Sequence, residues 1–204
     1  MSNYDRVYET IRAWLSECDF SEAASRLGFE PPNDGVLTFA SMGRGWRVDK
    51  DGVTQISGSG THVNFRSVII WYLTFKGSKW TPAIREADEF APLPSFSSGI
   101  FGQRSADFQS FEWRRHSGLT YGEFRSAAER IGAKLTRSER YGEVRRLDVF
   151  PKVPALLTYS EEDDEFPAQV DVKFRADALT FLPFETLAVL HGLIEREFSA
   201  SREK

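Results

Sequence analysis

Tyr4, Val7, Tyr8, Ile11, Trp14 and Leu15 recur at helical spacing while Asp5, Arg6, Glu9 and Arg12 fill the other face, predicting an amphipathic first helix. A short second helix runs to Leu27, with Asp19 or Ser21 able to cap its start and Gly28 placed to end it at positive φ. Pro31-Pro32-Asn33-Asp34-Gly35 marks a turn. Val36 to Ala40, Trp46 to Val48 and Val53 to Ile56 then read as a small antiparallel meander, with Lys50-Asp51-Gly52 as a tight turn.

The run from Val63 to Phe75 is apolar on nearly every side. Its length, and Gly77 just beyond it, favour a central buried helix over a buried strand. Residues 77 to 119 carry Pro82, Pro92 and Pro94 and read as a partly ordered excursion, helical over 103 to 115 where Phe108, Phe111 and Trp113 call for burial. Thr120 followed by Glu123 matches a capping box, and Tyr121, Phe124, Ala127, Ala128 and Ile131 line one face of the helix that Gly132 closes.

Val144 to Phe150, Ala155 to Tyr159 and Val170 to Phe174 read as strands. Val170, Val172 and Phe174 alternate with Asp171, Lys173 and Arg175, so that strand has one buried and one wet face. Pro183 opens a last helix with Leu187, Leu190, Ile194 and Phe198 inward and Glu195, Arg196 and Glu197 outward. The predicted architecture is α+β: an antiparallel sheet from the strands of 36–56 and 144–174, covered by four to five helices. It forms a single domain over 1–198, with 199–204 as a frayed tail.

Composition narrows the picture. A chain of 204 residues with 41% hydrophobic and 14% aromatic residues can bury a core without staples, and 17 Phe against 2 Met make that core aromatic. A net charge of −4 argues against a nucleic-acid partner, whose phosphates need a basic footprint. The one cysteine, Cys18, excludes an internal disulfide and fits a reducing cytoplasm. No signal peptide opens the chain, and the longest apolar run, Val68 to Leu73, is far short of a membrane span, so a soluble protein with no membrane partner is expected.

Candidate chemistry is sparse. Glu161-Glu162-Asp163-Asp164-Glu165 clusters carboxylates, but it lacks the spacing and glycine of a cation loop and reads as a solvated hairpin tip. Asp164 and Glu165, beside Phe166-Pro167, are the candidates within it for an inward role, with His116 or His191 as acid–base partner. His191 and Glu195 share a helical face. Gly58-Ser59-Gly60-Thr61 precedes a helix yet lacks the ending of a phosphate loop. Acidic neighbours of Cys18 raise a thiol pKa rather than lower it. Arg137, Arg140, Arg145 and Arg146, with Arg114 and Arg115 upstream, form the basic concentration. Arg145 and Arg146 point to opposite faces of their strand, and the group is expected to pair with acidic neighbours, the 161–165 run included. Trp71, Arg114 and Arg115 are the candidate ligand-binding residues. No metal site and no cofactor is implied.

Phe150-Pro151-Lys152-Val153-Pro154, Asp164-Glu165-Phe166-Pro167-Ala168 and Phe181-Leu182-Pro183-Phe184-Glu185 resemble, in order and spacing, the C-terminal signature of the prokaryotic family named domain of unknown function 3786. The run holding Trp71-Tyr72-Leu73 and the helix from Tyr121 are also similar to that family, while Lys76 to Pro94 departs from it. The resemblance implies a prokaryotic cytoplasmic protein and leaves its activity open. Some relatives carry cysteine-rich metal-cluster segments, and nothing of that kind stands in this chain. The function expected is therefore a non-catalytic binding or accessory module taking a small ligand or a protein. The competing reading is a metal-dependent or acid–base enzyme built on Asp164 and Glu165 with a histidine. A third is homo-oligomerisation through an aromatic patch at residues 90–113.

Overall fold

The computed structural model describes residues 3–60, 63–77, 89–96, 119–140 and 142–199. Helix α1 spans Asn3–Arg12 and tightens into a 3-10 turn over Ala13–Glu17, so the first apolar stripe continues at a changed pitch. Helix α2, Phe20–Leu27, starts at Asp19, whose carboxylate accepts from the amides of Ser21 and Glu22, and stops at Gly28 with φ 78°. Strands β1 (Leu37–Ser41), β2 (Arg44–Asp49) and β3 (Gly52–Ser57) pair antiparallel in that order. Met42-Gly43 turns β1 into β2 with both residues at positive φ. Gly43 has no freedom to change, because a Cβ there would lie 2.1 Å from the carbonyl oxygen of Arg130.

Helix α3, Val63–Thr74, is the buried apolar run, with Phe65, Val68, Ile69, Ile70, Tyr72 and Leu73 all inside. Beyond it, β4 (Phe90–Pro92) leads into a 3-10 turn, Leu93–Phe96. Helix α4, Tyr121–Arg130, begins at the reciprocal capping box of Thr120 and Glu123. Strands β5 (Lys134–Glu139), β6 (Gly142–Phe150), β7 (Val153–Ser160) and β8 (Gln169–Arg175) join β4 in a five-stranded antiparallel sheet ordered β4-β8-β7-β6-β5. Helix α5, Phe184–Ser199, closes the described chain.

Five helices and antiparallel strands make the α+β class, among the described residues. The strands divide into a three-stranded and a five-stranded sheet, where the sequence pattern predicted one. Helix α3, apolar on most sides, takes ring contacts from both layers. Phe150, at the end of β6, joins the layers: it stacks on Tyr72 at 4.2 Å and on Phe65 at 6.0 Å, and meets Phe39 edge-on at 6.4 Å. Trp46 of β2 packs on Phe65 at 5.2 Å. The Tyr72 hydroxyl accepts from the Lys152 amide and donates toward the Leu27 carbonyl, tying α2, α3 and the β6–β7 turn together.

Two strands escaped the sequence pattern. Strand β4 is three residues long and ends on a proline, and β5 is exposed along Lys134 to Ser138 and carries a bulge between Leu135 and Arg137. Neither has the alternation that marks a strand, because edge strands bury little on either face. The helix expected over 103–115 lies outside the described residues, as does the aromatic patch at 90–113 beyond residue 96.

Candidate functional site

Strand β6 alternates so that Glu143, Arg145, Leu147 and Val149 share the buried face, while Arg146 and Asp148 look outward. Two opposite charges are thereby carried inside on the face that packs beneath the helices. Glu143 and Arg145 are 2% and 4% exposed, which isolation would not allow, since an unpaired buried charge is strongly unfavourable. Arg145 donates through Nε to Glu143 Oε1. The other Glu143 oxygen accepts from the Tyr121 hydroxyl at 2.8 Å. The far edge of the Arg145 guanidinium lies 3.3 Å from Glu129 Oε1 on α4, which also accepts from Arg125 Nε at 2.9 Å.

Five side chains thus form a chain, Arg125, Glu129, Arg145, Glu143 and Tyr121, exposed at both ends and buried at the Arg145–Glu143 pair in its middle. Hydrogen bonding to the Glu143 carboxylate raises the Tyr121 phenol pKa, with partial burial and the negative charge of Glu143 adding to it. Glu129 is held below the ordinary carboxylate range, chiefly by its bond from Arg125 and despite some desolvation. Both oxygens of Glu143 are occupied by donors, and through Tyr121 the carboxylate ties β6 to α4. Tyr159 completes the corner: its hydroxyl donates to the Leu119 carbonyl, and its ring stacks on Phe124 at 5.0 Å.

The acidic turn is a hairpin tip between β7 and β8. Asp163 organises it, with one carboxylate oxygen accepting from the amides of Glu165 and Phe166. Asp164 and Glu165 are exposed there. His191 lies elsewhere, buried on α5 with Nδ1 3.6 Å from Glu195 Oε2 and its ring 6.2 Å from that of Phe174. From Gln169, where the tip begins, to Phe174 is five residues of β8, roughly 17 Å at about 3.4 Å each. The hairpin therefore sets the acidic tip and His191 toward opposite ends. Glu195, expected outward, is buried because it partners His191 one helical turn away.

Trp71 is half-buried, edge-on to Trp14 at 4.7 Å, where α3 meets the 3-10 turn after α1. His116, Arg114 and Arg115 lie outside the described residues. Arg145 and Arg146 pair with acidic neighbours as expected, but not with the 161–165 run: Arg145 takes Glu143 and Glu129, and Arg146 takes Asp148 on its own strand. Pairing at i, i+2 on one strand wins because those side chains already stand on the same face.

The glycine loop offers carbonyls rather than amides to its neighbour, since Ser59 and Gly60 accept from Arg44 Nε. Arg44 continues to Glu197 on α5 at 2.7 Å, fastening the three-stranded sheet to the last helix. Burial pushes the Cys18 thiol up, and Glu22 adds to the effect. Arg26 Nε sits 3.4 Å from Glu22, near enough for attraction but without an aligned hydrogen bond, while its other nitrogens cap the Leu73 and Phe75 carbonyls. No group of three or more His, Cys, Asp or Glu side chains converges as a metal set among the described residues.

Sequence reasoning missed Glu143, Glu129 and Tyr121. The signal was present: Glu143 and Arg145 keep the parity of Leu147 and Val149, which places a charge pair on the buried face of one strand.

The fold and its charged corner define an α+β protein whose helix α4 is fastened to a five-stranded antiparallel sheet by an ion-pair chain built on the buried Glu143–Arg145 pair. The chain belongs to the family described as domain of unknown function (DUF3786), whose model matches residues 19–197. No curated protein and no solved structure matches it significantly. No helix is long and apolar enough to cross a membrane, among the described residues.

Proposed function

We propose that this protein is a non-catalytic binding or accessory module of the prokaryotic cytoplasm, a single domain over 1–198 with a short tail, that takes a small ligand or a protein partner. The observation that carries the reading is the closed state of the buried charges. Glu143 has both oxygens occupied and Arg145 is shared between two carboxylates, so these groups act as structural ties with no free face for a substrate. A general base must come within hydrogen-bond reach of the proton it takes, and the exposed acidic tip lies toward the opposite end of its hairpin from His191. The single cysteine supports a reducing compartment.

Two measurements test this. Purified protein is expected to show no turnover above background on a panel of phosphoesters and acyl esters; hydrolysis that disappears in Asp164→Ala or His191→Ala overturns the reading in favour of an acid–base enzyme. A panel of charged and aromatic metabolites is expected to contain one that raises the unfolding midpoint with concentration, by about 2.7 kcal/mol of added stability at a hundredfold excess over Kd.

A further inference from the structure

We draw no further inference here: the strongest candidate, the acidic cluster of Glu161, Glu162 and Glu123 around Tyr159, rests on carboxylates alone, and nothing in the structure shows what they would hold.

Discussion

Arg145 donates to Glu143 two residues away on the same strand, and both side chains lie almost wholly out of solvent. Neither charge is tolerable there alone. The pair therefore behaves as a unit, and losing one half costs far more than losing both.

Arg145→Met leaves Glu143 buried without its counter-charge and is expected to cost about 3 to 5 kcal/mol in urea unfolding. The double variant Arg145→Met with Glu143→Leu is expected to recover most of that loss, because an apolar pair of similar volume needs no compensation. A single variant that loses under about 1 kcal/mol would show that water reaches the pair and that it anchors little.

Tyr121 gives the corner a pH signature. Its phenol pKa is raised above the ordinary tyrosine value of 10.0, first by the bond to Glu143. The folded state thus holds the proton more tightly than the unfolded chain. The contribution is fully present below the unfolded pKa and fades as pH rises through the folded one. Ultraviolet titration should show Tyr121 among the phenolates that appear at higher pH than a free tyrosine, beside Tyr72 and Tyr159, whose pKa values burial raises, and Tyr121→Phe should remove one component of that late group. Titration of the component at the ordinary value would contradict the hydrogen bond.

The hairpin tip separates structure from charge. Asp163→Ala removes the acceptor of two turn amides and is expected to cost about 1 kcal/mol. Asp164→Ala and Glu165→Ala, one and two residues on, are expected to stay within about 0.5 kcal/mol, as exposed positions usually do. Equal losses at all three would mean that the turn is held by collective charge instead of by Asp163.

At the β1–β2 turn, Gly43→Ala meets two obstacles at once, a φ of 68° and a backbone carbonyl 2.1 Å from the new methyl. Each is worth about 1 to 3 kcal/mol, so a loss of at least about 2 kcal/mol is expected in thermal unfolding. Gly35→Ala is the control, since its φ is also positive but a Cβ there meets nothing within 4 Å. Similar losses at both would assign the effect to backbone strain and leave the contact with Arg130 no role.

Most of the helices and the inner strands could be read from local pattern. The period of Tyr121, Phe124, Ala127 and Ala128 with its capping box, and the alternation of Val170, Val172 and Phe174, are properties of neighbouring residues and survive without knowledge of the fold. The length of α3 was enough to make it a helix, although its hydrophobicity points nowhere in particular. Family membership was legible too, because it rests on short motifs such as Phe150-Pro151 and Phe166-Pro167.

Only the tertiary structure decided what depends on distant partners. Edge strands β4 and β5 bury too little to leave a pattern, and the division into two sheets appears only in the strand pairing. Glu129 meets Arg145 across sixteen residues, and Arg44 meets Glu197 across most of the chain. Charge pairing depends on distance in space, and sequence separation does not encode that distance until the sheet register and the helix docking are known.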